Sequence, residues 1–447
     1  MSPKGHYKRK YQILCDKIST ILKVNGMEYR KRIIDNEIEK KLNTMGAIFI
    51  RGPKWCGKTT TATQFAKSVL EMQNPDLQRN YIELANTKPS LLLNGDKPRL
   101  IDEWQLAPNL WNAVRYAVDK SGETGQFLLT GSATPVDDPN MHSGVGRFAF
   151  VNMKPMSLYE SGESTGSISL KSLFDGNADI DGKTADCTYE KLAHALCRGG
   201  WPSSLIMDDD NSLNVIKEYV EVLAESDISK VDGVQRDPVL ARAILKSYAR
   251  HVSTISSDKS LFDDIRANFA DVSDKTIISY IKALQRLFII QEINSWNPNI
   301  RSKTSIRTSP KKSFIDPSFA TAALECSPEE LMMDINTYGL LFENLVARDL
   351  GIYASALGGH LNHFRDRYGL ECDLIIHLSN GKYALAEVKL SGNYISSAEK
   401  HLLELKSLIS QNDKLRAPEF MMIVTATDMA YTTESGVHVV PIGCLRD

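Results

Sequence analysis

The chain has 447 residues, long enough for roughly three domains of ordinary size. Hydrophobic residues make up 42% and charged residues 24%, which excludes a disordered, collagen-like or disulfide-stapled class. A formal net charge of −2 gives no global electrostatic case for nucleic acid. Seven cysteines at 15, 56, 187, 197, 326, 372 and 444 form no C-x-x-C pair, so neither a zinc site nor a disulfide framework is expected. The N-terminus lacks the apolar run of a signal peptide, and no stretch approaches the length of a membrane span. The expectation is a soluble cytoplasmic protein without a membrane partner.

Residues 1–28 are expected to be an N-terminal helical extension carrying a basic patch, "YKRKY" (7–11), and a second patch, "MEYRKR", follows at 27–32. "MGAIFI" (45–50) is a short apolar run of the kind found in buried parallel strands. "RGPKWCGKTT" (51–60) then fills the pattern G-x-x-x-x-G-K-[ST] with Gly52, Gly57, Lys58 and Thr59, and "TTTATQFAKSVLEM" (60–73) reads as a helix. Backbone N–H groups of such a loop converge on phosphate oxygens, and glycine permits the close approach that a Cβ would block. The loop Gly52, Pro53, Lys54, Trp55, Cys56, Gly57, Lys58, Thr59 and Thr60 is therefore assigned to ATP. Lys58 is to reach the β and γ phosphates and Thr59 to ligate Mg²⁺, while the side chains of Pro53, Lys54, Trp55 and Cys56 point elsewhere.

"PRLIDEWQ" (98–105) is a strand ending in Asp102 and Glu103. Asp102 is the expected Mg²⁺ ligand and Glu103 the group that polarises water, because in-line phosphoryl transfer needs both charge neutralisation and an oriented nucleophile. "GQFLLTGSAT" (125–134) is a third strand, ending in Thr130, Gly131, Ser132 and Thr134. Thr130 is placed to bond the γ phosphate or the water. Arg147, ahead of the strand in "SGVGRFAFVNMKPMSLYE" (143–160), is a candidate for stabilising transition-state charge, in cis or from a neighbouring subunit of a homo-oligomer.

These stretches together resemble the AAA-type ATPase module of archaeal and bacterial ATPases that carry a DUF4143 region. That family's loop more usually reads Gly-Pro-Arg-Gln-Val-Gly-Lys-Thr. Here Lys54, Trp55 and Cys56 stand in its variable part, at positions that ligate no phosphate. The resemblance implies an α/β multidomain protein: a P-loop AAA-type parallel sheet over 29–190, a helical, winged-helix-like domain over 191–310, and a restriction-nuclease-like α/β domain over 311–447.

Residues 161–187 are rich in Gly, Ser and Asp and read as a connector with one short helix, and "CRGGWPSSL" (197–205) reads as a tight turn. Helical periodicity dominates 213–290, with Ser273 as an N-cap. The helix that follows offers Lys275, Ser279, Lys282 and Arg286 as exposed candidates for DNA contact. "IRSKTSIRTSPKK" (300–312) is rich in Lys and Arg with no acid among them, which suits phosphates or an ordinary solvated face.

In the last third, "NTYGLLFENLVARDLGIYASAL" (336–357) is a helix bearing Glu343, and two strands joined by "SNG" carry Asp373 and then Glu387 with Lys389. Residues i and i+2 of a strand share a face, so Glu387 and Lys389 project together. An acid, 13 intervening residues and Glu-Val-Lys resembles the PD-(D/E)xK nuclease fold. The resemblance implies Mg²⁺ held by Asp373 and Glu387 with help from Glu343, and a water positioned by Lys389. A plain cross-strand ion pair is the rival reading of the same residues. Two functions stay open: an ATPase coupled to DNA processing, or a nucleotide-gated switch whose nuclease-like domain is inert.

Overall fold

The computed structural model describes residues 29–131, 144–299, 308–412 and 414–447. The extension at 1–28 with its basic patch, Ser132 and Thr134, and most of the basic stretch 300–312 lie outside the described residues. Five parallel strands make the first sheet: β1 (Ala47–Arg51), β2 (Ser68–Glu71), β3 (Arg99–Asp102), β4 (Phe127–Gly131) and β5 (Phe148–Asn152), in the order β2-β3-β4-β1-β5. Along β1, Ala47 and Phe49 face a cluster with Trp104, Leu110 and Trp111, while Ile48 and Ile50 face a second cluster on the other side. The two-residue alternation of a strand, with helices on both faces, accounts for this continuous apolar run.

Two expectations for this region are corrected. The helix after the loop stops at Phe65, and "SVLE" leaves it to become the edge strand β2, paired in parallel with β3 from Ser68↔Arg99 to Glu71↔Asp102. Leu70 is buried and Val69 exposed, so pairing and one buried side chain override the helical pattern of the longer window. The connector 161–187 contains its short helix, Leu170–Phe174, and also a strand, β6 (Ile168–Ser169).

The middle of the chain is helical from Tyr189 to Arg286. A helix over Asp209–Val222 runs into a π-helical turn, Leu223–Asp227, and helices Pro238–Arg250, Asp258–Arg266 and Asp274–Arg286 follow. Ser273 caps the last of these, its hydroxyl accepting from the Thr276 N–H at 3.2 Å. Strands β7 (Ile290–Ile293) and β8 (Lys311–Phe314) then pair antiparallel.

The second large sheet joins β9 (Gly359–Arg365), β10 (Glu371–Leu378), β11 (Tyr383–Lys389), β12 (Met421–Thr425), β13 (Tyr431–Thr432) and β14 (His438–Pro441), in the order β13-β14-β12-β11-β10-β9. β9, β10 and β11 are antiparallel neighbours. Helix Ile395–Ser410 then crosses over to β12, which runs parallel to β11. The long helix Ile335–Ala356 packs on one face of this sheet and the crossover helix on the other. Segments far apart in sequence are tied by backbone pairing: β15 (Leu445–Arg446) lies parallel to β6, and Ser295 bridges to His363 of β9.

Candidate functional site

In the loop after β1, a Cβ on Gly52 would stand 2.1 Å from the Met153 carbonyl, and Gly57 caps the following helix at φ 99°, so both positions require glycine. Helix Lys58–Phe65 therefore points its free N–H groups into the loop, where an anion is favoured. Lys58 is buried, and its Nζ donates to the carbonyls of Gly52 at 3.0 Å and Pro53 at 2.7 Å. Asp102 is also buried, and its Oδ1 accepts from the Thr59 hydroxyl at 2.7 Å and from the Thr130 hydroxyl. Thr130 takes a further hydrogen bond from the Glu103 N–H at 3.4 Å. β4 lies between β1 and β3, which brings Thr130 beside Asp102 at the ends of parallel strands.

Glu103 sits directly after β3 with φ 52°, a left-handed conformation that costs a non-glycine residue roughly 1–2 kcal/mol. Its carboxylate accepts from the Gln105 amide. Burial pushes its pKa up, opposed by the nearby Lys58 charge and the Gln105 bond, which tunes a carboxyl toward proton transfer. Thr60 lies exposed in the first turn of the loop helix.

The variable loop residues turn outward to the helical region. Lys54 pairs with Asp227 of the π turn at 2.7 Å, and Trp55, at φ 64°, packs its ring 5.3 Å from that of Tyr219. Cys56 is buried, with its Sγ 3.8 Å from the Met153 carbonyl. Arg147 is not part of this site. It precedes β5, its carbonyl accepts from Ala47 N–H at the start of β1, and its guanidinium pairs with Asp119. The loop leaves β1 at the opposite end, about 16 Å along a five-residue strand. Of the two alternatives for Arg147, this placement does not support action within its own chain.

The C-terminal residues are brought together. Asp373 Oδ2 accepts from Val388 N–H at 2.9 Å and from Lys389 Nζ at 3.1 Å, and Lys389 reaches Glu387 Oε2 at 2.6 Å. A register irregularity between Cys372 and Ile375 turns Asp373 toward β11. Glu343 of the long helix joins through Lys311, a residue the sequence reading did not single out: its Nζ lies 2.5 Å from Glu343 Oε1, 3.6 Å from Asp373 Oδ1 and 3.2 Å from the Asp373 carbonyl.

Burial disfavours the Asp373 anion, yet Lys311, Lys389 and the Val388 N–H outweigh it and hold the carboxyl well below the usual range. Burial and then the Asp373 charge push Glu387 up to about 8, so the pair titrates as a unit. Burial also pushes Glu343 up to about 7, against the pull of Lys311. Two ammonium groups thus counter three carboxyls. Among the described residues, no group of three or more His, Cys, Asp or Glu side chains is disposed to hold a metal ion, contrary to the ligand set expected for Glu343, Asp373 and Glu387.

The proposed DNA-facing residues of helix Asp274–Arg286 divide. Lys275 and Lys282 are exposed. Ser279 accepts from Arg236 at 3.0 Å, and Arg286, partly exposed, lies 3.8 Å from Asp232. No helix among the described residues is long and apolar enough to cross a membrane.

Residues 44–162 match the family model of an AAA domain. Residues 189–330 and 338–445 match two domains of unknown function, DUF8612 and DUF4143. Uncharacterized proteins of Mycobacterium bovis and Mycobacterium tuberculosis are each 24% identical over 390 residues, covering 85% of this chain and 79% of the relative. Among solved structures, the Walker-type ATPase of Pyrococcus abyssi is similar with a TM-score of 0.41 and 14% identity, over 65% of this chain and 94% of that one. The Aeropyrum pernix ORC2 protein, solved in ADPNP–ADP complexes, gives a TM-score of 0.32 and 12% identity over 70% of this chain and 98% of that one. The loop after β1 and the strand-end acid Asp102 thus lie within the stretch that matches an AAA domain, and the stretches that match DUF8612 and DUF4143 follow it in the chain.

Proposed function

We propose that the chain hydrolyses ATP with Mg²⁺ and uses the nucleotide state as a switch on its helical and C-terminal regions. The observation that carries this is the meeting of Thr59, Asp102 and Thr130 on one carboxylate oxygen beside Lys58. A hydroxyl and a carboxylate are the hard oxygen donors that Mg²⁺ takes, so Thr59 and Asp102 suit it. When bound, the ion supplies neutralisation of phosphate charge. Lys58 exchanges two loop carbonyls for phosphate oxygens, Thr130 fixes the Asp102 carboxylate, and Glu103 orients the attacking water and accepts its proton.

The test is ATP binding and turnover by purified protein. Lys58→Ala is expected to lose nucleotide binding. Glu103→Gln is expected to keep binding and lose roughly 10²–10⁴-fold in turnover, the range for removal of a general base. Turnover by Lys58→Ala at the wild-type rate would sink the assignment.

A second reading, DNA binding or processing, draws support from the C-terminal region. Its order of helix, three antiparallel strands, helix and parallel strand, with Asp373, Glu387 and Lys389 in contact, supports the reading of a restriction-nuclease-like domain. Three helices ahead of the antiparallel β7 and β8 suit a winged-helix-like module, with Lys275 and Lys282 free to meet phosphates. Cleavage of duplex, single-stranded and branched DNA with Mg²⁺ or Mn²⁺, with and without ATP, compared with Asp373→Ala, tests it. Binding that fails to weaken with salt would rule out phosphate contacts by these lysines.

A further inference from the structure

We infer that Lys311 is a tethered cation, delivered by the β7–β8 pair, that fills the place of a divalent ion among the C-terminal carboxylates and keeps that site closed to metal. An ion shared by Glu343 and Asp373 must stand about 2.0–2.6 Å from their oxygens. The Lys311 ammonium occupies that space, 2.5 Å from one carboxylate and 3.6 Å from the other. Lys389 takes the remaining positions, 3.1 Å from Asp373 and 2.6 Å from Glu387. The residues as arranged therefore do not fit a divalent ion, in line with the lack of a suitable ligand group among the described residues.

The lysine is held from outside the sheet that bears the acids. β8 pairs with β7 alone. Its next residue, Lys312, points the other way to Asp258 at 2.6 Å and Glu292 at 3.4 Å, so the helical region grips the strand that carries the plug. From the other side, Asn344 of the long helix accepts from the Phe314 N–H at 3.0 Å and donates to the Phe314 carbonyl at 2.9 Å, fixing the height of β8. Lys311 is 4% exposed, so its charge has no recourse to water. Opening the site requires β8 to withdraw. The inference rests on the nuclease-like reading only for the class of ion considered.

The experiment is Mn²⁺ binding by nucleotide-free full-length protein, read by electron paramagnetic resonance, for wild type, Asp373→Asn, Lys311→Met and Lys311→Met/Asp373→Asn. Wild type and Asp373→Asn are expected to bind Mn²⁺ alike. Lys311→Met is expected to gain one site at least roughly ten-fold tighter than any in wild type, lost again in the double variant, because removing the lysine leaves carboxylates in need of a counter-charge. Should Lys311→Met fail to fold, Lys311→Met/Glu343→Gln removes one charge of each sign and carries the same comparison. Binding in wild type that Asp373→Asn abolishes would overturn the inference whatever the variants do, as would a folded lysine variant that gains no ion. A gained ion without DNA cleavage supports the plug and removes the DNA-processing reading alone.

Discussion

Lys58 and Lys311 are both buried ammonium groups, and the difference in their partners separates a moving part from a fixed one. Lys58 rests on two neutral carbonyls, bonds worth about 1.5–3 kcal/mol each with a charged donor, and phosphate oxygens replace them readily. Lys311 is enclosed by two carboxylates, where loss of one partner of a buried pair costs about 3–5 kcal/mol. The Lys311 charge also reaches His363, a fully buried ring whose Nε2 lies 3.2 Å from the Ser309 carbonyl. Burial and then Lys311 bring the His363 pKa down to about 4 from 6.5. A base with a depressed folded-state value binds its proton more readily when unfolded, so stability is intact above pH 6.5 and falls as pH drops toward 4. The slope approaches ~1.4 kcal/mol per pH unit. Urea midpoints at pH 7, 6 and 5 should fall less steeply for His363→Gln than for wild type; parallel curves would contradict this. Lys58, Thr59, Asp102 and Glu103 are legible in sequence because each has a fixed place in a local motif. Lys311 is not, because its partners Glu343 and Asp373 lie 32 and 62 residues away and nothing in "SPKK" sets it apart from a solvated lysine.

Among the elements, the π turn at Leu223–Asp227 carries the most consequence, since it places Asp227 against Lys54 and follows the helix that presents Tyr219 to Trp55. Any shift of the loop on nucleotide binding is thereby passed to the helical region through two contacts. Trp55 is 54% exposed, so its fluorescence should report ATP binding, and Trp55→Phe should remove most of that signal. For the ion pair, a double-mutant cycle on Lys54→Ala and Asp227→Ala, read as ATP affinity, should return a coupling of about 0.5–3 kcal/mol, and additive effects would mean that the pair does not sense nucleotide. Lys54 and Trp55, the odd residues of the loop, are thus accounted for by contacts with the helical region. What the sequence hid at this scale was short strands. β2 has four residues and β6 and β15 two each, too few for a period of two to stand out from a helical or loop pattern. Pairing partners more than 270 residues away in the case of β6 and β15 supply what local propensity lacks.

For the whole chain, one apolar cluster runs without a break from Ile48 of the first sheet through Trp201 and Tyr248 to Leu374 of the last. The limits expected near 190 and 310 therefore fall inside shared packing. A buried polar knot sits in the same region: Arg348 donates to Asp316 and Asp349 at 2.8 Å each, Asp316 accepts from Gly200 N–H at 3.1 Å, and Asp349 accepts from Leu158 N–H at 2.8 Å. Arg348→Met removes the cation bonded to two buried carboxylates and should cost about 3–5 kcal/mol, seen as a lower melting temperature and a loss of protection of the loop after β1 in hydrogen exchange. Destabilisation confined to the C-terminal sheet would contradict that shared dependence. The adjacent lysines of β8 carry a last consequence. Because Lys311 and Lys312 project to opposite sides, sliding β8 by one residue against β7 would carry one lysine into the other's place and leave one of the two acid clusters without its cation. The two lysines thus act as a gauge of strand alignment, since a slip in either direction leaves one buried group of carboxylates unpaired.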